Sequence, residues 1–471
     1  MERPEDLLDR DAEWSALVAA WERKGPALVL VLGRRRVGKT HLLTRFAERV
    51  GGLYYQATNR TENEQLSRIS RIVGRHFDDP ALGHGVPFPD WEALFAYVAE
   101  RARGSPFLIV LDEFPYLADS APALPSILQS LWDHEWPRTR IRLVLSGSHI
   151  TAMERLEGVD QPLYGRRTAR LALEPFDPSR VSHFLADHSP RDRLRAYGIF
   201  GGLPGNLALL DREAELSRNV TEHILQPTGR LHDEAQHLLD AYLAGAEVHY
   251  SIIGAIAGGE RTWGGISRRV GRIGGSLKRA LDGLIDMRLV SRVVPITERR
   301  PQKSKRAIYR IADPYLAFWH RFILPLLSGG MLVNTAGPAL WRTEIAPGLD
   351  DYMGGVFEEA CRSLVQRSAG RLPFEPLRVG EWWDAASQNE IDVVALGENG
   401  EVLVGECKWG GAYRRDLDSL RARADLLLRE LTGVREVHYA LFSGRETHRS
   451  LSREIETGEF LYFDAESVVR P

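Results

Sequence analysis

The residues from Gly33 to Thr40 read GRRRVGKT, which matches the spacing GxxxxGK[ST] of phosphate-binding loops. An apolar run, ALVLVL, precedes this segment, and an amphipathic stretch beginning HLLTRF follows it. Between a strand and a helix, such glycines let backbone N–H groups surround phosphates at the positive end of the helix. We expect Lys39 to reach the β and γ phosphates of ATP and the Thr40 hydroxyl to complete a Mg²⁺ shell. The other expected ATP contacts in and beside this loop are Gly33, Arg36, Val37, Gly38 and His41.

A second signal lies where the apolar run FLIVL (107–111) is followed by Asp112 and Glu113. The carboxyl ends of strands are where open α/β sheets bind ligands. Asp112 is expected to hold Mg²⁺ through water, and Glu113 to polarise the attacking water. A further apolar run ends in SGS, where a polar side chain can sense the γ phosphate; Ser146 is the first choice and Ser148 the second. Each signal alone can be structural, but their order and spacing predict a nucleotide site.

Charged side chains at strand ends form another candidate site in the last third of the chain. In EVLVGECKW the early residues are apolar on both faces, so the strand is buried, and Glu406 and Lys408 share one face. The preceding NEIDVVAL places Glu390 and Asp392 on one face, and the upstream helix YMGGVFEEACRSLV offers Glu358. This order resembles the PD-(D/E)XK nuclease fold. The resemblance implies that Glu358, Asp392 and Glu406 bind Mg²⁺ and that Lys408 orients or activates the attacking water.

Two other interpretations of this region stay open. The charges can belong to a solvated hairpin that carries ion pairs, or the nuclease fold can be retained for DNA binding alone; the intact Lys408 argues against such degeneration. Cys407 faces the opposite side from its neighbours and is expected in the core. Trp382 and Trp383 are expected to pack rather than to stack on bases.

The segment from 260 to 310 holds 14 Lys or Arg and 4 Asp or Glu, a surplus of ten positive charges in a chain whose formal net charge is -3. The pattern of residues 248–311 predicts three short helices, around SIIGAIA, ISRRVG and SLKRALDGLIDMRLV, and then a hairpin, which together make a winged helix. Double-stranded DNA is the expected partner, with salt-dependent and largely sequence-independent affinity. The alternatives are an interdomain clamp and a solvated face. The expected DNA contacts are Lys278, Arg279, Arg299, Arg300, Lys303, Lys305 and Arg306.

The elements that position these sites follow from the patterning of the chain. Apolar runs alternate with amphipathic stretches over the first 170 residues, which predicts a parallel sheet covered by helices. The runs lie at 27–32, 53–57, 107–111 and 141–146. The predicted fold is α/β, with a P-loop NTPase domain, a helical lid, a winged helix domain and a restriction-endonuclease-like α/β domain. Their predicted ranges are 1–174, 175–235, 236–315 and 316–471.

Composition narrows the class of protein further. A chain of 471 residues is too long for one hydrophobic core, and its two cysteines, Cys361 and Cys407, form neither a CxxC pattern nor a disulfide framework. This cysteine usage suits a reducing cytoplasm. The start MERPEDLLDRD is acidic and polar, unlike a leader, and no run approaches the ~18 apolar residues of a spanning helix. We therefore expect a cytoplasmic protein with no membrane partner.

Seven motifs spread over nearly the whole chain are LDRDAEW, GRRRVGKT, LDEFPYL, LSGSH, PLYGRR, GGLPGN and IADPYLAFWHRFILP. Together they resemble the archaeal-type ATPases of the AAA+ and STAND superfamily, which carry a C-terminal domain long of unknown function. The resemblance implies that Arg10 and Glu13 lie near the adenine and that Pro204 packs against the nucleotide from the lid. It also implies that Arg166 or Arg167 senses the γ phosphate or acts across subunits of a homo-oligomer; surface ion pairs are the alternative. The family more often has an aromatic residue after the proline, where this chain has glycine.

Two functions are consistent with these features. In the first, ATP binding and turnover change the setting of a DNA-binding winged helix and a nuclease-like domain. In the second, the chain is a STAND-like signalling switch that hydrolyses ATP slowly or not at all and recognises a protein through a non-catalytic C-terminal domain. Glu113 beside Asp112 favours turnover. Hydrolysis stimulated by DNA is expected only for the first.

Overall fold

The computed structural model describes residues 1–102, 104–242, 247–367, 370–445, 451–456 and 458–470. The chain forms two compact units, Met1–Pro175 and Phe176–Pro471. The first unit contains a five-stranded sheet, and the second contains a two-stranded hairpin and another five-stranded sheet.

The first unit has its strands where the sequence has its apolar runs. The strands are β1 (Ala27–Leu32), β2 (Leu53–Gln56), β3 (Phe107–Asp112), β4 (Ile141–Gly147) and β5 (Ala169–Ala172). The helices are α1 (Asp11–Glu22), α2 (Lys39–Val50), α3 (Glu62–His76), α4 (Pro80–Gly83), α5 (Trp91–Arg101), α6 (Phe114–Ser120), α7 (Leu124–His134), the short 3-10 helix Trp136–Arg138 and α8 (Ile150–Arg155). The strand order is β2-β3-β4-β1-β5, and every neighbouring pair is parallel. The predicted parallel sheet is therefore confirmed.

Strand β5 is the one strand of this sheet that the apolar runs do not predict. Leu171 is its one fully buried residue, whereas β1 beside it is buried at all positions. A strand at the edge of a sheet pairs on one side only, and it needs no continuous apolar run. Its pairing with β1 brings the chain after the PLYGRR segment back to the phosphate-binding edge.

The second unit begins with the mostly helical region that the sequence predicts as a lid. Its helices are the 3-10 helix Pro178–His183, α9 (Pro190–Phe200), α10 (Pro204–Leu207), α11 (Leu216–Val220), the π-helical turn Thr221–Leu225 and α12 (Glu234–Tyr242). The GGLPGN segment separates α9 from α10. A Cβ atom at Gly202 would lie 2.0 Å from the carbonyl oxygen of Phe176, so no other residue fits at this turn.

Three helices and a hairpin follow, in the order that the sequence predicts. They are α13 (Glu247–Ala257), α14 (Trp263–Val270), α15 (Gly274–Asp286), β6 (Val290–Val293), the 3-10 helix Pro301–Lys303 and β7 (Ile308–Ile311). Strands β6 and β7 are antiparallel. Helix α15 buries Leu277, Leu281 and Leu284 on one face, as the helical period requires. The winged helix assignment for this region stays a prediction.

The remainder of the second unit is helical and then a mixed sheet. The helices are α16 (Pro314–Phe318), the π-helical turn Trp319–Ile323, α17 (Leu324–Ser328), α18 (Met331–Asn334), α19 (Gly337–Leu340), the π-helical turn Trp341–Ile345, α20 (Ala346–Arg367), α21 (Arg414–Glu430), α22 (Ser452–Glu456) and α23 (Ala465–Val469). The strands are β8 (Arg378–Trp383), β9 (Glu390–Leu396), β10 (Glu401–Lys408), β11 (Glu436–Ser443) and β12 (Leu461–Asp464). Their order is β12-β11-β10-β9-β8; the β8-β9 and β9-β10 pairs are antiparallel, and the other two pairs are parallel.

The loop between β6 and β7 packs on the edge of this mixed sheet. Ile296 from the loop is 5% exposed and belongs to the apolar core that includes Trp382, Val394 and Leu420. Its backbone N–H donates to the carbonyl oxygen of Glu381 at 2.9 Å, and the Arg378 guanidinium donates to its carbonyl oxygen at 2.6 Å. The hairpin is thus joined to β8 by backbone and side-chain contacts.

Helix α20 is the longest helix in the described ranges, with 22 residues. It carries several charged side chains, among them Asp351, Glu358 and Arg362. No helix in the described part of the chain is both long and apolar enough to cross a membrane.

Candidate functional site

The phosphate-binding loop connects β1 to α2, and its backbone requires glycine at two positions. Gly38 has a φ of +99°, which side chains rarely allow. A Cβ atom at Gly33 would lie 2.6 Å from the carbonyl oxygen of Leu173. The His41 ring lies 3.5 Å from the Asp6 carboxylate, and its predicted phosphate contact stays a prediction.

Lys39 is 4% exposed and begins α2. Its ammonium donates to the carbonyl oxygens of Gly33 at 2.8 Å and Arg34 at 3.2 Å, and to the Ser148 hydroxyl at 2.8 Å. Burial lowers the pKa of Lys39, while the nearby charge of Glu113 opposes that effect. The ammonium is therefore held over the loop where the β and γ phosphates are expected.

Asp112 lies at the end of β3 and is fully buried. The Thr40 hydroxyl donates to its Oδ2 at 2.8 Å, and the Ser146 hydroxyl donates to its Oδ1. A carboxylate and a hydroxyl side by side are the oxygen donors that Mg²⁺ prefers, so the residues present fit this ion. The structure adds Tyr54, whose hydroxyl donates to Asp112 Oδ2 at 2.5 Å. Burial, followed by the charge of Asp112, raises the pKa of Tyr54; in the sequence Tyr54 is only one residue of a short strand.

Glu113 has a φ of +54°, a left-handed conformation that is uncommon for its residue type. Its carboxylate accepts the Ser148 backbone N–H at 3.1 Å and the Ser148 hydroxyl at 2.5 Å. Ser148 therefore joins Glu113 to Lys39. Ser146, the first choice for a γ-phosphate sensor, donates to the carboxylate of Asp112, and the sensing role of either serine stays a prediction.

Arg10 supports the loop from α1's N-terminal side. Its guanidinium donates to the carbonyl oxygens of Val37 and Glu174, both at 2.9 Å, and lies 3.1 Å from the Glu13 carboxylate. Burial lowers the pKa of Arg10, against the charge of Glu13. Arg10 and Glu13 are thus paired beside the loop; their predicted nearness to adenine stays a prediction. Pro204 begins α10 in the second unit, and its predicted nucleotide contact also stays a prediction.

The two arginines of PLYGRR are both ion-paired. Arg166 makes a bidentate pair with Asp133, at 2.9 and 2.6 Å, and Arg167 pairs with Glu157. These contacts are the ion pairs that we considered as the alternative to a role at the γ phosphate. A role at the γ phosphate or across subunits would require either arginine to leave its partner.

In the second unit, strands β9 and β10 bring Asp392 next to Glu406. Asp392 is 9% exposed, and its Oδ2 accepts the backbone N–H of Cys407 at 2.8 Å. Glu406 is 4% exposed and pairs with Lys408 at 2.5 Å and with Arg423 at 2.7 Å. Arg423 lies on α21 and does not stand out in the sequence, because it is one of several arginines on that helix.

Burial and neighbouring negative charges raise the pKa values of two carboxyl groups in this cluster, those of Glu358 and Asp392. Burial, then the charges of Glu358 and Glu406, raises the pKa of Asp392 to about 8. Burial also raises the pKa of Glu358 on α20, and Arg362 one helical turn later opposes that rise. Clustered carboxyl groups with raised pKa values are typical of functional sites.

The carboxylates supply oxygen donors of the kind that Mg²⁺ prefers. Within the described ranges, however, no group of three or more His, Cys, Asp or Glu side chains is placed to hold a metal ion. Both oxygens of Glu406 are occupied by Lys408 and Arg423. The charges of Glu358 and Glu406 act on Asp392, but these three side chains are not arranged as a metal site.

The neighbouring predictions about core residues are confirmed. Cys407 is 7% exposed, and Trp382 and Trp383 are 1% and 7% exposed. The Trp382 indole N–H donates to Glu430 at 3.1 Å.

Most of the basic side chains assigned to DNA are exposed. Lys278 and Arg279 lie on the outer face of α15, and Lys278 pairs with Asp282 at 2.5 Å. Arg306 differs, because it is half-buried and its guanidinium donates to the carbonyl oxygen of Trp383 and lies 3.5 Å from Glu298. The predicted DNA contacts of the β6–β7 loop that remain exposed are Arg299, Arg300, Lys303 and Lys305.

Two family models match this chain. Residues 7–210 match an ATPase domain found predominantly in Archaea, and residues 319–420 match a family of archaeal and bacterial proteins of unknown function. The matched pair confirms the resemblance to archaeal-type ATPases with such a C-terminal domain. Neither match extends the resemblance to nucleases.

Individual proteins also resemble this chain. A protein of Methanocaldococcus jannaschii described as uncharacterized is 28% identical over 467 residues, covering 98% of this chain and 99% of its own length. The Walker-type ATPase of Pyrococcus abyssi has a similar fold, with a TM-score of 0.54 and 20% identity, over 68% of this chain and 97% of that one. The ORC2 protein of Aeropyrum pernix, solved with nucleotides, gives a TM-score of 0.46 and 17% identity, over 70% of this chain and 97% of that one.

Proposed function

From the match of residues 7–210 to an archaeal ATPase-domain family, we propose that the chain binds and hydrolyses ATP in its first unit. The observation that carries this proposal is the convergence of Lys39, Thr40, Asp112 and Glu113 at one edge of a parallel sheet. Lys39 neutralises the β and γ phosphates, while Thr40 and Asp112 hold Mg²⁺, which supplies charge neutralisation when bound. Glu113 polarises the attacking water once its carboxylate leaves Ser148.

ATP binding and ATP turnover can be separated with two substitutions. Lys39→Ala should abolish binding of a fluorescent ATP analogue, because it removes the ammonium that faces the phosphates. Glu113→Gln should retain binding and lose hydrolysis, because the amide keeps the shape of the side chain but cannot accept a proton. Arg35→Ala is the matched control, since this exposed neighbour in the loop is assigned no role. Unchanged phosphate release from Glu113→Gln would contradict the assignment of the base.

The second part of the proposal is that the output acts on double-stranded DNA. The exposed lysines and arginines of α15 and of the β6–β7 loop give the region a positive surface that suits a phosphate backbone. A salt titration of duplex binding tests this part. The proposal requires log K to fall steeply and linearly with log[salt], and an affinity independent of salt would contradict it.

The third part is a nuclease-like function for the C-terminal sheet. Helix α20 precedes three antiparallel strands, and α21 connects β10 to the parallel strand β11, which is the order expected for the PD-(D/E)XK fold. Asp392, Glu406 and Lys408 lie together at the ends of β9 and β10. In this role Lys408 would orient water toward the phosphodiester. The carboxylates would have to rearrange before they could hold a divalent cation, because Glu406 is paired with Lys408 and Arg423 and the described side chains form no metal site.

Incubation with supercoiled plasmid, Mg²⁺ or Mn²⁺ and ATP tests the third part. Nicking that is lost in Asp392→Ala and Lys408→Ala, but kept in Glu390→Ala, would support a nuclease. Glu390 is the matched control because it lies exposed on the same strand as Asp392. If neither wild type nor variants cut while DNA still shifts on a gel, the C-terminal domain binds without cutting.

The alternative function is a STAND-like switch that retains ATP and recognises a protein. The ion pairs of Arg166 and Arg167 favour it in one respect, because both candidate finger residues are engaged within their own unit. The rate of ATP turnover with and without DNA separates the two functions. Fast, DNA-stimulated hydrolysis supports the DNA-directed ATPase, whereas nucleotide that stays bound through purification and turns over slowly supports the switch.

A further inference from the structure

The β6–β7 hairpin holds the edge strand β8 from two sides. On one side, the Arg310 guanidinium of β7 makes a bidentate pair with Glu381 of β8, at 2.6 and 2.7 Å. On the other side, Ile296 enters the apolar core against α21, and Arg306 donates to the carbonyl oxygen of Trp383. Glu381 is 6% exposed, so its charge needs a partner, and Arg310 supplies it.

Glu381 faces a second arginine, Arg362 of α20, at 3.7 Å. Arg362 is 7% exposed, and its Nη1 donates to the backbone carbonyl oxygen of Asp392 at 2.7 Å. It also pairs with Glu359 at 2.9 Å. The guanidinium therefore fixes the backbone at the residue whose carboxyl group is central to the carboxylate cluster.

Both arginines that face Glu381 line a cavity of about 380 Å³ in the second unit. Arg310, Glu358 and Arg362 line it, together with Tyr197 of α9. The positive charges of Arg362 and Arg310 oppose the rise that burial causes in the pKa of Glu358. A charge on the hairpin, that of Arg310, thus acts directly on a carboxyl group of the cluster, that of Glu358.

We propose that Arg310, Glu381 and Arg362 form a relay by which the position of the winged helix sets the position of Asp392. Arg362 is the positioning residue for the carboxylate cluster, and Arg310 acts through Glu381 on Arg362. The proposal rests on the proposed nuclease-like function for its biological meaning, but the relay itself is a physical property of this unit. Release of the hairpin from β8 would leave Glu381 with Arg362 alone and draw the guanidinium away from the Asp392 carbonyl oxygen.

The charges make one direction of movement favourable. With Arg310 in place, Glu381 shares its two oxygens with that bidentate partner, and Arg362 is free to bond to the Asp392 backbone. Without Arg310, the buried Glu381 carboxylate lacks its main counter-charge, and the guanidinium 3.7 Å away is the nearest replacement. DNA bound to α15, or any other partner that pulls the hairpin away from the sheet, would therefore change the position of the β9 backbone at Asp392.

Amide hydrogen exchange in β9, measured on the full chain, tests the relay without requiring catalysis. Arg310→Gln alone is expected to speed amide exchange around Asp392 by about fivefold relative to wild type. Added to Arg362→Gln, the same substitution should change the exchange rate very little. Arg306→Gln is the matched control, because it weakens the contact with Trp383 on the other side of the hairpin and does not touch Arg362. Equal effects of Arg306→Gln and Arg310→Gln around Asp392 would overturn the relay.

A charge exchange distinguishes the relay from simple docking. Arg310→Glu combined with Glu381→Arg restores an ion pair between hairpin and sheet, but it places a cation beside Arg362. Docking alone predicts that the double variant regains slow exchange in β9. The relay predicts fast exchange in β9 while trypsin cuts at the exposed wing arginines no faster than in wild type.

Mn²⁺ titration separates failure of the relay from failure of the nuclease-like function. Binding is measured in Lys39→Ala, and the part lost on further Asp392→Asn belongs to the carboxylate cluster. In the presence of that binding, the relay requires Arg310→Gln to change its affinity by about threefold or more. Absence of Asp392-dependent Mn²⁺ binding would contradict the nuclease-like function only, and the exchange results in β9 would still decide the relay.

Discussion

Asp392→Asn should stabilise the second unit, and the gain should grow with pH. Burial and the charges of Glu358 and Glu406 raise the pKa of Asp392 from 3.8 to about 8 in the folded chain. The folded state therefore binds this proton more tightly than the unfolded state does. The stability that the proton provides is fully present below pH 3.8 and is lost as pH rises through about 8. Asparagine is never charged, so the variant escapes this loss.

The expected size of the effect follows from the same pKa. Between pH 5 and pH 8 the largest possible loss of unfolding free energy is about 4 kcal/mol, at 1.36 kcal/mol for each of three pH units below the raised pKa. Relaxation and water penetration reduce such losses, because an effective dielectric constant of ~20 describes even buried sites. We expect about 2 kcal/mol. The amide can still accept the Cys407 N–H at this position, so the substitution adds little damage of its own.

Urea unfolding at pH 5 and pH 9, followed by tryptophan fluorescence, measures the difference. Glu390→Gln, at an exposed position on the same face of β9 as Asp392, is the control and should change stability little at either pH. Mn²⁺ should reverse the order at pH 9 if the ionised carboxylates bind it. Equal stabilities of wild type and Asp392→Asn across this range would refute the reasoning, because the carboxyl group would then not be destabilised by its surroundings.

Three further outcomes are expected. Thr40→Val should weaken Mg²⁺-dependent ATP binding about tenfold or more in isothermal titration calorimetry, whereas Thr40→Ser should keep it, because only the hydroxyl contacts Asp112. The pair Lys278→Ala and Arg279→Ala should lower the slope of log K against log[salt] for duplex DNA by about two, since each residue is assigned one phosphate contact; an unchanged slope would remove α15 from the DNA surface. Ile296→Ser should destabilise the second unit by about 2–4 kcal/mol in urea unfolding, because it empties a buried site, and Val293→Ser on the half-buried β6 should cost less.

Much of the first unit could be predicted because its signals are local. A buried parallel strand must be apolar along its whole length, so β1, β3 and β4 stand out in the sequence. The edge strand β2 is half-buried and is marked by a shorter apolar run. The glycines and Lys39 follow from the chemistry of phosphate binding, and Asp112 with Glu113 follows from the end of β3. The half-exposed edge strand β5 lacks this signature, and it is the strand that the sequence did not reveal.

The contacts between distant segments could not be predicted. Tyr54 reaches Asp112 only because β2 and β3 are neighbours, and no spacing along the chain encodes that pairing. The different contacts of Ser146 with Asp112 and of Ser148 with Glu113 could not be predicted for the same reason, since both serines lie at the end of β4. Arg306 was assigned to DNA from its charge, but the carbonyl of Trp383 lies 77 residues away in sequence. A charge pattern predicts whether a surface is positive or negative. It does not show which of the charged side chains are engaged in contacts within the fold.

The seating of Ile296 on β8 bears on how this protein can be divided into fragments. A fragment that begins at residue 316 has every strand of the mixed sheet but lacks the loop that covers its last strand. Its outer backbone N–H and C=O groups would face water in a row, beside an uncovered Trp382, and a row of that kind pairs readily with a second copy. Such a fragment should self-associate through β8, whereas one that begins before Glu247 keeps the cover of this strand. A form of the C-terminal sheet with β8 covered therefore starts about 70 residues earlier than its sequence boundary indicates.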